Sequence, residues 1–199
     1  MRFAIVLATL LLASAAHAEQ ADRDKPIQVE ADKLDADEVK QVAVYTGNVR
    51  VTQGTLRMDG QRLELREDPE GYRSAVVTAA PGQLVLFRQR RDSKTPGVEE
   101  WVEGQAERLE YDQRTDRVKL VQRARLRRLE NGEQRDELTG QLIVYEQRSS
   151  RTTVEGGPTA SPDGRVRTTI APRKDPKDAK PAAPAALAPA PQLAAPRKD

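Results

Sequence analysis

Catalysis and metal binding need side chains that can hold a proton, a metal or a covalent intermediate, and this 199-residue chain is poor in them. It has one histidine, His17, and no cysteine. His17 sits in the opening stretch MRFAIVLATLLLASAAHAEQ, where Arg2 gives a positive start, an apolar run follows, and Ala16-His17-Ala18 offers the small residues that a leader peptidase needs. Residues 1–18 are expected to be a signal peptide cut after Ala18, leaving 199 − 18 = 181 residues that carry neither histidine nor cysteine. Ser-His-Asp and Cys-His nucleophiles and the usual zinc ligand sets are then absent, and no metal or cofactor is expected. No glycine-rich phosphate loop opens a helix. Carboxylate pairs remain, Glu99-Glu100 and Asp35 with Asp37, of a kind that serves glycoside hydrolysis or calcium binding. With 31 acidic residues in the chain such pairs arise by chance and read better as solvated turn positions. The chain is expected not to be an enzyme, with a carboxylate-dependent envelope glycosidase as the competing catalytic reading.

The basic cluster RARLRR (123–128), with Arg88, Arg90 and Arg91, has the guanidinium chemistry to grip phosphate. Read as a strand, it puts Arg123, Arg125 and Arg127 on the face opposite Ala124 and Leu126, which predicts an outward, solubilising face. Lysine plus arginine (33) nearly balances aspartate plus glutamate (31), and only 4% of residues are aromatic, so no nucleic-acid partner is expected. An anion bound there would be a phosphorylated lipid head group.

The elements that must position these groups are short and two-periodic. Ile27 and Val29, residues 42–51, Leu56 and Met58, Leu63 and Leu65, and residues 84–87 lead the series. Leu109 and Tyr111, Val118 and Leu120, Ala124 and Leu126, residues 142–145, Thr152 and Val154, and residues 166–170 continue it. Such alternation, punctuated by Gly, Asp and Asn, predicts an all-β domain of many antiparallel strands with essentially no helix. In VAVYTGNVRVTQGTLRMDGQRLEL (42–65) a Gln53-Gly54 turn would set Val49, Val51, Leu56 and Met58 on one inward face. The apolar positions pass from even to odd numbers after Met58, which requires a bulge or corner at Gly60-Gln61. Residues 31–51 align weakly with 106–126 at an offset of 75, and the Gly-Gln corner recurs at Gly104-Gln105 and Gly140-Gln141. Trp101, Tyr45, Tyr111 and Tyr145 are expected in the core or along a cavity open to an apolar ligand. Two stretches depart from the pattern: 88–97, expected as a charged loop, and 173–199, a Lys/Pro/Ala-rich tail expected to be disordered. Residues 19–25 would be a flexible lead to a domain spanning 26–172.

The segments PIQVEAD (26–32), AVYTGNVRVTQGTLRMDGQRLEL (43–65), VEGQAERLEYD (102–112) and RVRTTIAP (165–172) resemble the LptA/OstA-like family of periplasmic lipopolysaccharide transport proteins. Where the family's second T-G-N is expected, this chain has Val121-Gln122-Arg123. The resemblance implies a V-shaped antiparallel β-jellyroll in the periplasm that shields the acyl chains of lipid A in an apolar groove. It also implies end-to-end homo-oligomers bridging an inner-membrane lipopolysaccharide export complex and an outer-membrane translocon. Groove positions implied here are Ile27, Val29, Tyr45, Val49, Val51, Leu56, Met58, Leu63 and Leu65, then Phe87, Leu109, Tyr111, Leu120, Leu126 and Tyr145. Partner edge strands would carry Ile27 and Val29 at one end and Val166, Thr168 and Ile170 at the other, joined by strand addition. A periplasmic β-rich scaffold without lipid cargo is the alternative.

Overall fold

The computed structural model describes residues 22, 24–93 and 95–172. The expected leader with its cut after Ala18, most of the 19–25 lead and the 173–199 tail lie outside the described residues. Among the described residues twelve antiparallel strands form the regular structure: β1 (Gln28–Glu30), β2 (Lys33–Asp37), β3 (Val42–Gln53), β4 (Leu56–Glu67), β5 (Arg73–Thr78) and β6 (Val85–Arg91). Then follow β7 (Glu100–Ala106), β8 (Arg108–Asp112), β9 (Arg117–Glu130), β10 (Glu133–Glu146), β11 (Arg151–Glu155) and β12 (Arg167–Ile170). Among the described residues no helix is long and apolar enough to cross a membrane.

Four long strands, β3, β4, β9 and β10, each run through two layers. In the first layer their segments 42–46, 62–67, 117–121 and 142–146 pair with β2, β5, β8 and β11. In the second layer the segments 50–52, 57–59, 125–130 and 136–139 pair with β1, β6, β7 and β12. The core lies between the layers, with Leu63, Val77, Leu109, Leu120 and Ile143 all at 1% exposure or less.

The two halves of the chain repeat one plan. Adding 75 to β2 gives β8, residue for residue, and β3 and β9 start at equivalent positions. The bends that pass the long strands from layer to layer also correspond. Register shifts fall between Thr46 and Val49 in the first hairpin, and between Gly140 and Leu142 opposite 121–124 in the second. In the first bend Gly47 (φ 84°) and Asn48 (φ 45°) are left-handed; in the second, Gln122 (φ 63°) and Arg123 (φ 49°) take the same pair of conformations. The Asp32 N–H donates to the Gly47 carbonyl at 3.0 Å, and the Glu107 N–H to that of Gln122 at 3.0 Å. The Asn48 amide donates to the Asp32 carboxylate at 2.9 Å, and Arg123 Nε to Glu107 at 2.7 Å. The loss of T-G-N therefore leaves the corner intact. Arg123, which also donates to the Gln83 carbonyl, replaces the asparagine latch, and the second bend holds a side chain where the first has glycine. A left-handed non-glycine residue costs roughly 1–2 kcal/mol. Gln122→Gly is expected to raise stability by about 1 kcal/mol after the added unfolded-state entropy is subtracted. Urea denaturation would read this as a higher midpoint at unchanged slope.

Three expectations need correction. The first hairpin turns at Gly54-Thr55, with Gln53 opposite Leu56 and Val51 opposite Met58. Glycine with φ 59° at the first turn position is what a type II′ turn requires, and Gln53-Gly54 would place it second. The slip is two residues in register, so the inward face keeps its members. Residues 88–91 are not loop: they complete β6 and pair with 100–103 of β7. Trp101 is not a core residue but shares the outer face of β7 with Glu103, half-buried beneath the Arg88 guanidinium 4.2 Å from its ring.

The outer faces are laced with ion pairs. Arg127 meets Glu103 at 3.0 Å, Arg125 meets Glu137 at 3.8 Å, and Arg123 meets Glu107, so the basic cluster is partnered as well as outward. Burial by itself would raise the Asp59 carboxyl, yet hydrogen bonds and charge from Arg57 and Arg50 hold it below the ordinary carboxylate value. Hydrogen bonds from Arg66 and Arg62 do the same for Glu64. A lowered folded-state pKa adds stability that is full above the unfolded value of roughly 4 and lost as pH falls through the folded one. The melting temperature is expected to drop progressively below about pH 4, with added salt flattening the profile because these pairs are solvent-screened.

Candidate functional site

Inward alternation from both layers meets in an apolar space that is open at two ends and sealed between them. The first opening is a cavity of about 210 Å³. Ile27, Val29, Val51, Leu56, Met58, Leu63, Leu65 and Tyr111, all expected on the groove, line it. The second, of about 310 Å³, lies at the other end between β10, β12 and the inner face of β7 and β9. Leu126, Tyr145, Thr168 and Ile170 of the expected residues face it.

The remaining expected groove residues occupy different ground. Val49, Phe87, Leu109 and Leu120 are buried to between 0 and 3% and form a packed waist with Val77, Val85 and Ile143. Tyr45 is partly buried against this core. Close packing at the corner explains Gly140: a Cβ there would stand 2.5 Å from Val154 Cγ1 and 2.7 Å from the Glu155 carbonyl.

Sequence reading missed residues at both ends. Ala75 and Tyr72 at the first opening belong to β5 and the turn before it, a segment whose AVV run gave no clean alternation. Val102 and Leu138 at the second sit on strands whose charged residues hid the two-residue period. The rims are polar. Arg73, Gln113, Asp116 and Arg148 border the first opening, with Arg148 Nε 3.7 Å from the buried Asp116 carboxylate. Arg91, Arg128, Asp136 and Ser150 border the second.

The sheet ends short of closure at both ends of the strand order. Among the described residues β1 and β2 pair only with β3, and β11 and β12 only with β10. Exposed apolar side chains gather on these edge elements: Leu34 on β2 at 54%, and Val166 and Ile170 at β12 at 41% and 73%. Among the described residues no cluster of three or more His, Cys, Asp or Glu has the arrangement to hold a metal ion. Glu99 instead faces Arg90 at 3.8 Å, and Glu100 accepts from Ser93 at 2.9 Å.

An apolar space between two layers with polar rims has the concave, mostly apolar character common to ligand-binding sites. Known proteins agree with that class. The family model described as LptA/(LptD N-terminal domain) LPS transport protein matches residues 28–151. The lipopolysaccharide export system protein LptA of Escherichia coli K12 is 32% identical over 154 residues, covering 76% of this chain and 79% of that protein. LptH of Pseudomonas aeruginosa, also named a lipopolysaccharide export system protein, is 29% identical over 173 residues, with 84% of this chain and 91% of its own length covered. The crystal structure of LptH, described as the LptA-homologous periplasmic component of the lipopolysaccharide transport device, superposes with a TM-score of 0.62 at 25% identity, over 76% of this chain and 99% of that one. A shared β-jellyroll, a family match over most of the described strands and identity above 30% with an export protein lead to one assignment: the chain belongs to the LptA/LptD N-terminal domain family of lipopolysaccharide transport proteins.

Proposed function

We propose that this protein is a periplasmic, non-catalytic carrier that shields lipopolysaccharide acyl chains between its two layers and joins end to end into a bridge between the membranes. Its neighbours in that bridge would be further copies, an inner-membrane export complex at one end and an outer-membrane translocon at the other. The observation that carries this reading is the interlayer apolar space, open at both ends beside unpaired strand edges. Each methylene moved from water into such a space contributes about 0.8 kcal/mol. A partly sheathed acyl chain is therefore retained without covalent or metal help, and onward movement needs energy supplied by another component.

Photocrosslinking tests the reading. Photoreactive residues at Leu56, Leu65 and Leu138, which line the two openings, are expected to capture lipopolysaccharide, and those at Arg50 and Arg57 on the outer face are not. Equal capture on both faces, or none, overturns it.

A further inference from the structure

Two glutamines occupy inward positions where the alternation calls for apolar side chains. On β6 the inward series runs Val85, Phe87, Gln89, and on β10 it runs Ile143, Tyr145 and, one step past the strand, Gln147. Gln89 is 6% exposed and Gln147 9%, and Gln147 Nε2 donates to Gln89 Oε1 at 2.8 Å. Gln89 belongs to the second layer and Gln147 to the turn that follows the first-layer segment of β10, so this bond joins the two layers.

A second contact backs it. Arg91 Nη2 donates to Ser150 Oγ at 2.9 Å, and the Arg91 guanidinium lies 5.3 Å from the centre of the Tyr145 ring. The 147–150 turn is held in place by the Gln147 N–H, which donates to the Asp116 carbonyl at 3.0 Å.

This clasp lies between the two openings. A small cavity of about 20 Å³, lined by Asp22, Met58, Phe87, Tyr111, Gln89 and Gln147 among others, adjoins the first opening. Arg91, Tyr145 and Ser150 bound the second opening from the far side. The two cavities share no lining residue. Burying amides among aliphatic side chains is costly unless they are bonded to each other, and their removal from the core by any apolar pair of similar size is close to neutral for stability. A polar pair at this point is thus poorly explained by packing. It is well suited to a contact that must part, since separated amides can be satisfied again by water or by a polar ligand group.

Volume decides what a closed clasp permits. An engineered cavity of roughly 150 Å³ holds benzene, so compartments of about 210 and 310 Å³ each match the size of a short acyl segment. We infer that Gln89 and Gln147, backed by Arg91 and Ser150, form an internal gate that, together with the packed waist beside it, divides the carrier into two compartments and must open before a multi-acyl lipid is taken up. The gate rests on the lipopolysaccharide reading above.

The absence of cysteine among the described residues makes the test direct. In Gln89→Cys/Gln147→Cys protein the two thiols are joined by a short reducible bis-maleimide, and the linked and reduced forms of the same preparation are compared, so that folding is controlled internally. Two probes are titrated: a fluorescent amphiphile with one dodecyl chain, and purified lipopolysaccharide. The linked form is expected to bind the dodecyl probe within about twofold of the reduced form but lipopolysaccharide at least about tenfold more weakly, because the fraction competent for the larger lipid is removed. Reduction restores the larger lipid. Equal lipopolysaccharide affinity in both forms overturns the gate and leaves the carrier reading standing; failure of the reduced form and the unsubstituted protein to bind lipopolysaccharide overturns both.

Discussion

Leu120→Ala is expected to cost about 2–5 kcal/mol of folding stability, the range for a buried leucine whose surroundings cannot collapse around the void. Leu120 is 1% exposed, lies opposite Leu109 on β8 and Ile143 on β10, and is flanked by Gly104 of β7, whose hydrogen side approaches its methyl groups. Neighbours on three sides belong to paired strands, so the void cannot be filled by one side chain turning. A loss of that size consumes a large part of the roughly 5–15 kcal/mol that holds a domain together. Leu65→Ala makes the contrasting case. Leu65 is only partly buried and faces the first opening, so truncation there should cost about 1 kcal/mol or less while weakening capture of lipid. Urea denaturation and lipopolysaccharide crosslinking on the same two variants would separate the roles: a waist residue moves the first measurement and an opening residue the second. Equal destabilisation by both substitutions would mean that the opening is part of the core, and the distinction between sealed waist and lipid-facing ends would fall.

That distinction was not legible from alternation. Val49 and Val51 are successive inward residues on one strand with the same chemistry, yet Val49 joins the waist and Val51 lines the first opening. Periodicity reports which face a residue is on, and only the pairing of strands across the layers reports how far along the space it falls. The same limit hid the clasp. Gln89 reads as loop in a run of RQRR until β6 is paired with β7 and its parity with Phe87 becomes fixed. Trp101 misled for the converse reason, because a large apolar ring was assigned inward although the parity of β7 puts Val102 and Gly104 there. What the sequence did carry was the backbone plan. Gly-Gln at 60 and 140 falls at the register shifts of the two hairpins, whereas Gly104-Gln105, expected as a corner, pairs in unbroken register within β7; the offset of 75 located a second corner whose residues differ from the glycine and asparagine of the first.

Thr168→Pro is expected to abolish end-to-end assembly while leaving the domain folded, and the repeat says why. Inside the chain the first half joins the second through β5 with β8 and β6 with β7. At the ends, β11 and β12 stand where β5 and β6 do, and β2 and β1 stand where β8 and β7 do. Carrying the internal ladders to the ends therefore sets β11 against β2 of the next copy and β12 against its β1. Thr78 opposite Arg108 becomes Glu155 opposite Lys33, and Val77 opposite Leu109 becomes Val154 opposite Leu34. Arg151 then faces Asp37. On the other layer Leu86 opposite Gln105 becomes Arg167 opposite Glu30, and Gln89 opposite Val102 becomes Ile170 opposite Ile27. In that register three opposite-charge pairs would form, and the exposed Leu34 and Ile170 would gain apolar partners. Within the chain, Ala171 N–H donates to the Arg135 carbonyl at 2.7 Å, so the odd-numbered amides of β12 point toward β10 and those of Thr168 and Ile170 point toward the free edge. Proline at 168 removes only an outward donor, whereas Thr169→Pro removes one from the β10 ladder and should lower the melting temperature instead. Arg167→Glu, which puts like charges opposite each other across the joint, should weaken association by about tenfold, and adding Glu30→Arg should restore it. Sedimentation velocity over a concentration series reads all four variants. Assembly by Thr168→Pro equal to that of the parent would exclude β12 as the joint, and failure of Glu30→Arg to rescue Arg167→Glu would exclude this register.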